Sequence, residues 1–254
     1  MTRSDLTRRL LAEYLGTALL VTAVVGSGIM AAQLSPNDVG LQLLENSITT
    51  MLALAVLILA LGPISGAHFN PVVTLVDAWL HRRDPIRPAI PTIAGYLAAQ
   101  VAGAISGAIL ANVMFGLDAV TFSTKARTAP HLWIGEVVAT AGLILLIAAL
   151  VRSHRANLAP AAVGAYIGAA YWLTSSTSFA NPAVTIGRTF TNTFAGISPA
   201  SLAGFIVAQL IGAAVGLVVV TTLYPAAVRV TPETAAIDPA ESDPTNRVPV
   251  RSIP

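Results

Sequence analysis

Two short boxes hold the side chains whose types and spacing could do chemistry. Residues 69–75 read FNPVVTL and residues 179–188 read FANPAVTIGR, so an Asn-Pro pair is written twice ahead of Val and Thr. A carboxamide carries two N–H donors and an acceptor but no charge. Asn70 and Asn181 therefore suit hydrogen bonding to a neutral oxygen, not proton transfer or nucleophilic attack. Asn is also a good helix N-cap, and Pro is tolerated at the first helical position, where its missing N–H is not needed. Pro71-Val72 and Pro182-Ala183 thus read as the starts of two helices. No nucleophile–base set, metal cluster or phosphate loop stands in a suitable context, so the chain is not expected to be an enzyme or to need a cofactor or metal. His68 has no second His or Cys at ligand spacing, and the sequence holds no cysteine, which excludes thiol chemistry and a disulfide frame.

The elements that must position these boxes are apolar. The 254 residues are 55% hydrophobic and only 10% charged, against about 25% charged in a soluble domain. So few polar groups cannot coat a water-exposed surface, and lipid is the natural solvent. Six stretches are near the ~20 apolar residues that a spanning helix needs: 10–32, 43–61, 90–114, 132–151, 158–176 and 202–223. The first follows Arg3, Arg8 and Arg9 but is too long for a cleavable signal segment. The two helices opened by the Asn-Pro boxes, 70–80 and 181–190, are half a bilayer long and read as half-helices.

Arginines fall on alternate connections: Arg3, Arg8 and Arg9, then Arg82, Arg83 and Arg87, then Arg152 and Arg155, then Arg229, Arg247 and Arg251. The opposite side has Lys125, Arg127 and Arg188. This bias places both termini in the cytoplasm of a multi-pass inner (plasma) membrane protein. It also assigns the net charge of +2 to membrane flanks and not to a nucleic-acid partner. The tail, 225–254, is polar and Pro-rich and is expected to be disordered.

The chain repeats itself. GYLAAQVAGAISGA from Gly95 matches GFIVAQLIGAAVGL from Gly204, aligning Gln100 with Gln209. AEYLGTALLV from Ala12 matches GEVVATAGLI from Gly135 more weakly, aligning Glu13 with Glu136. Each half, 10–116 and 132–224, then holds three spans and one half-helix, joined by an extracytoplasmic connection at 117–131. An odd number of spans inverts the second half relative to the first, a plan that recurs in transport proteins. The two half-helices enter from opposite faces, and their N-termini, each with about half a positive charge, meet near the midplane and repel cations. Asn70 and Asn181 are expected to aim donors into a pore, and the non-helical stretches before them, Gly66, Ala67, His68 and Phe69, and Thr177, Ser178, Phe179 and Ala180, to offer acceptor carbonyls. Donors at mid-pore and acceptors along one wall suit water, polyols or uncharged hydroxylated acids. Gly103, Gly107, Gly212 and Gly216 read as close helix packing.

These features resemble the aquaporin (major intrinsic protein) family. SGAHFNPVVT at 65–74 and ANPAVT at 180–185 resemble its paired Asn-Pro-Ala boxes, the first with Val in place of Ala, and AEYLGT at 12–17 and the Gln100 and Gln209 helices resemble it as well. The likeness covers residues 10–223. It implies an all-α membrane fold of six transmembrane helices and two re-entrant half-helices, a homotetramer with one pore per subunit, and passive diffusion of small neutral solutes across the lipid bilayer. It also implies that Glu13 and Glu136 accept hydrogen bonds from the re-entrant loops, where an interfacial carboxylate or a proton relay are the alternatives. Gln100 and Gln209 either hold those loops or bond helix to helix.

The chain departs from the family at its constriction. Many members carry Arg directly after the second box, where this chain has Val184, and Arg188 follows one turn later. Arg188 is expected to face a scaffold carbonyl or the membrane interface. Counting from the boxes puts the remaining constriction positions at Thr50, Ala169 and Ser178. Thr, Ala, Ser and Val make a wide, uncharged gap, so the expectation is a channel for water, glycerol and metalloid acids such as arsenous acid, as in arsenic-associated bacterial members. Lys125 and Arg127 read as solvated loop charges, with the alternative that one folds into the vestibule. A coupled secondary transporter is the competing function, since it uses the same repeat plan.

Overall fold

A computed structural model describes residues 2–84 and 88–224, and every regular element within them is helical. Arg87 and the expected disordered tail lie outside the described residues. Helix α1 (Arg3–Leu34) starts seven residues ahead of the apolar run because Thr2 and Asp5 form a reciprocal capping box. Helix α2 (Val39–Ser65) is capped by Asp38 and ends at Gly66, whose φ of 91° takes the left-handed conformation that glycine adopts without penalty. The first half-helix, α3 (Pro71–Leu80), is capped by Asn70, and α4 (Ile90–Met114) completes the first half.

The second half repeats the order. It comprises α5 (Pro130–Arg152), α6 (Ala159–Leu173), the half-helix α7 (Pro182–Gly187) and α8 (Leu202–Leu223). The region expected as half-helix 181–190 is two pieces: α7 has six residues and passes into a 3-10 turn at Arg188–Phe190. Five helices are long and apolar enough to cross a membrane: α1, α2, α4, α5 and α8, the last counted with the short turn before it. The expected sixth span, 158–176, is shorter than the sequence implies. A 3-10 turn at Ala156–Leu158 precedes α6, which has 15 residues, or ~22 Å. Thr174 ends it by turning extended while its hydroxyl bonds back to Ala170 O. Residues 174–176 are thereby released to the loop that leads into the second box.

The halves pack by one rule. Helix α4 lies on α1 and α8 lies on α5, with glycines at the crossings. A Cβ on Gly103 or Gly107 would stand 2.3 Å from Tyr14 O or 2.1 Å from Ala18 O, and on Gly212 or Gly216 2.6 Å from Val137 O or Ala141 O. Tyr14 and Ala18 occupy the same repeat positions as Val137 and Ala141, so the sequence register survives as contact register. Backbone approach this close lets two helices gain dispersion contact where lipid gives no hydrophobic drive. The outward faces are apolar, with Leu52, Val56, Leu59, Ile134, Val138 and Val218 exposed.

Candidate solute pathway

The two boxes are locked to each other. Asn70 Oδ1 caps its own half-helix by accepting from Val72 N (3.0 Å), and Asn181 Oδ1 accepts from Ala183 N (3.0 Å) and Val184 N (3.2 Å). The amide groups cross over: Asn70 Nδ2 donates to Ala180 O and Asn181 Nδ2 to Phe69 O, both at 2.8 Å. One N–H of each amide is thereby committed within the protein, and the second has no protein partner among the described residues. The Phe69 and Ala180 carbonyls each accept one of these bonds and keep a second lone pair.

The loops before the boxes are strained and then held. Ala67, Phe69, Thr177, Ser178 and Ala180 all have φ between 48° and 62°, a conformation that costs a non-glycine residue of order 1–3 kcal/mol and persists only when its surroundings enforce it. Buried carboxylates do so. Glu13 accepts from Ser65 Oγ (2.6 Å) and His68 N (3.0 Å) on one oxygen, and from Phe69 N (2.7 Å) and Gln100 Nε2 (2.8 Å) on the other. Glu136 accepts from Phe179 N (2.8 Å), Ala180 N (2.8 Å) and Gln209 Nε2 (2.6 Å). Both glutamates are 0% exposed, enclosed within the protein. Gln100 also bonds Thr74 Oγ1 and Gln209 bonds Thr185 Oγ1, which ties each glutamine to its half-helix.

One cavity of about 800 Å³ runs past both boxes, with Asp84, His81 and Arg152 toward one end and Tyr171 and Arg188 toward the other. Its polar wall is the pair of loops. Among the described residues the carbonyls of Gly66, Ala67, His68, Ser178 and Phe179 receive no protein hydrogen bond, and all five residues line the cavity. Thr177, expected in this ladder, is not among the lining residues. The facing wall is apolar, with Leu20, Leu54, Leu143, Val163 and Ile167.

Of the four expected constriction residues, Thr50, Ser178 and Val184 line the cavity. Ala169 does not: it is exposed on the outside of α6. The α6 residue at this level is Tyr171, whose hydroxyl lies 3.1 Å from Thr50 Oγ1. Two residues along a helix is a rotation of about 200°, so the shift moves the position to the opposite face. Tyr171 therefore brings a phenol hydroxyl to the cavity wall beside Thr50, where Ala169 would bring only a methyl.

Arg127 is another correction. It is not a solvated loop charge but 8% exposed, with Nε 3.3 Å from Gly196 O, Nη1 3.3 Å from Ser176 O and its guanidinium 5.0 Å from the centre of the Phe179 ring. Arg188 is 2% exposed, donates through Nε to Ala195 O and stacks 3.4 Å over the same ring. Lys125 remains at the surface with Nζ 3.0 Å from Phe194 O. Desolvation and then the nearby Arg127 and Arg188 lower its pKa to about 8.

The family model described as Major intrinsic protein matches residues 1–178. The chain belongs to the major intrinsic protein family. It is 51% identical over 242 residues to an aquaglyceroporin, AqpS, of Rhizobium meliloti (strain 1021), covering 92% of this chain and 100% of the relative. It is 32% identical over 173 residues to aquaporin AqpM of Methanothermobacter marburgensis, covering 60% of this chain and 68% of that protein. The fold matches the crystal structure of the aquaglyceroporin from Plasmodium falciparum with a TM-score of 0.64 at 20% identity, over 85% of this chain and 95% of that one. The protein is thus an integral membrane protein with the major intrinsic protein architecture. Sequence reasoning missed Tyr171, Ser65, Thr74 and Thr185 within that architecture. The last three were open to discovery, because Ser65 stands five residues before Asn70, as Ser176 does before Asn181, and the two Thr share a box position.

Proposed function

We propose that this chain is a passive channel through which water, glycerol and similar uncharged solutes diffuse down their gradients. The observation that carries the reading is the single cavity passing both crossed Asn-Pro boxes, with unclaimed carbonyls on one wall and aliphatic side chains on the other. A hydroxylated solute exchanges its water shell for the carbonyls and the second N–H of Asn70 and Asn181, while its carbon face lies on the apolar wall. The likeness to an aquaglyceroporin over nearly the whole chain supports a polyol-sized solute.

Thr50, Ser178 and Val184 leave the constriction without a positive side chain on the residue after the second box, which favours solutes larger than water, including uncharged metalloid acids such as arsenous acid. Tyr171 restores part of the bulk that Ala169 would not supply. Coupled transport is disfavoured because Glu13 and Glu136 are engaged in holding the box loops and do not line the cavity, so they are poorly placed to relay protons. The arginine bias supports both termini in the cytoplasm and residence in the inner (plasma) membrane, and the family relationship supports a homotetramer with a pore in each subunit.

Stopped-flow light scattering of proteoliposomes tests the reading with water, glycerol and arsenous acid. Flux of water and glycerol well above that of empty liposomes, unaffected by a pH gradient, is expected. Flux that follows the pH gradient at fixed solute gradient would replace the channel with a coupled transporter.

A further inference from the structure

The buried arginine pair has no direct ion-pair contact among the described residues, and Glu136 attracts both charges without touching them. A buried charge is ordinarily paired, because desolvation otherwise disfavours it strongly. Arg188 and Arg127 are both buried, yet among the described residues neither has a carboxylate within ion-pair distance. Their protein partners are neutral: Ala195 O for Arg188, Gly196 O and Ser176 O for Arg127, and the Phe179 ring for both. The Arg127 backbone is fixed as well, its N–H 2.9 Å from Ser201 Oγ. Around it, Ser123 N bonds Thr189 O at 3.0 Å and Ser198 N bonds Lys125 O at 2.8 Å, so the connecting loop is stitched to the segment that follows α7.

The position of Arg188 matters more than its burial. It stands four residues after Val184, so the two share one face of the half-helix. Helix side chains lean toward the N-terminus, so the Arg188 head reaches back toward the level of Val184. It lines the cavity there with Tyr171, Ser178 and Val184. Among the described residues its two Nη groups have no protein hydrogen-bond partner.

We propose that Arg188, backed by Arg127, is the cation barrier of this channel, a charge carried one helical turn beyond the valine at position 184. A cation entering from this end meets the Arg188 guanidinium in the cavity wall, with the Arg127 charge behind it on the Phe179 ring, before it reaches the half-helix ends, while a neutral solute meets hydrogen-bond donors. This inference rests on the channel reading. The two can fail separately.

The test uses the full chain in proteoliposomes loaded with a pH-sensitive dye. Glycerol flux is measured alongside proton leak under a potassium diffusion potential. Parent vesicles should conduct glycerol and hold protons. Arg188→Leu should raise the leak by about tenfold or more, and the Arg127→Leu, Arg188→Leu pair should raise it further. Arg188→Lys keeps the charge and should stay tight. Where Arg188→Leu inserts poorly, Arg127→Leu, which removes the backing charge alone, should still give a measurable leak. A double variant that conducts glycerol with the leak of the parent overturns the barrier, and so does an Arg188→Lys channel as leaky as Arg188→Leu. A parent protein with no solute flux at all overturns the channel reading instead.

Discussion

The first and second boxes share one scaffold but differ in what surrounds it. Around the first, Glu13 takes four hydrogen bonds, Ser65 Oγ among them, and α3 runs for ten residues. Around the second, Glu136 takes three, Ser176 turns its hydroxyl toward Thr174 (3.5 Å), and α7 ends after six residues. The hydrogen bond that the second carboxylate lacks coincides with a new feature, the Ser176 carbonyl accepting from Arg127. Duplication supplied the frame twice. The second copy holds two buried arginines on loop carbonyls, and among the described residues the first has no counterpart to them.

Four measurements would sharpen or break that contrast. The largest effect is expected from truncating the carboxylates. Glu13→Ala leaves two backbone N–H groups, Ser65 and Gln100 without their acceptor and should cost about 3 kcal/mol or more, read as a lowered midpoint in thermal unfolding of the detergent-solubilised protein. Glu136→Ala, losing one fewer bond, should cost less. The reverse order would mean that the arginine pair leans on Glu136 electrostatically. Next comes the packing of the halves. Gly107→Ala sets a methyl 2.1 Å from Ala18 O, and Gly216→Ala one 2.6 Å from Ala141 O, so both should lose ~1–3 kcal/mol with the first the larger. Equal losses would show that both helix pairs relax alike.

Val184→Arg crowds the ring formed with Thr50, Tyr171 and Ser178. It should cut glycerol flux ~tenfold, about 1.4 kcal/mol in barrier, and water flux much less. Equal reductions would place position 184 away from the narrowest point. The smallest effect concerns Lys125. With its pKa lowered to about 8, it is charged below that pH and neutral above it. Raising the pH from 7 to 8 should therefore increase proton leak by no more than about twofold, because Lys125 is not among the residues that line the cavity. A steep rise near pH 8 that disappears in Lys125→Gln would move the barrier to the lysine.

What was legible in the sequence follows what is local. The Asn-Pro boxes announced their own helix starts, because N-capping and proline geometry act within four residues. The repeat was legible because Glu13, Gln100, Gly103 and Gly107 recur in order. The end of α6 was not, since apolar composition continues through Leu173 and only the hydroxyl of Thr174, bonding Ala170 O, marks the stop. Ala169 was misplaced for the same reason: counting back from Asn181 assumes a fixed path through residues 174–178, and a change of two residues there reverses the face of the helix. Arg127 was unreadable in principle. The carbonyls that hold it belong to Gly196 and Ser176, far along the chain, and no local pattern separates a captured loop arginine from a solvated one.

The crossed carboxamides also carry a consequence for how the chain is built. Asn70 completes its hydrogen bonding on Ala180, 110 residues later. While a ribosome is still translating the second half, the first box lacks its crossed partner, and its strained loop is held from within the first half alone, by Glu13 and by Ser65 Oγ, which accepts from Ala67 N. Neither half can mature ahead of the other. Quality control in the membrane would therefore meet an open first box until the last helices arrive, and a truncated chain should be degraded rather than persist as a half-channel.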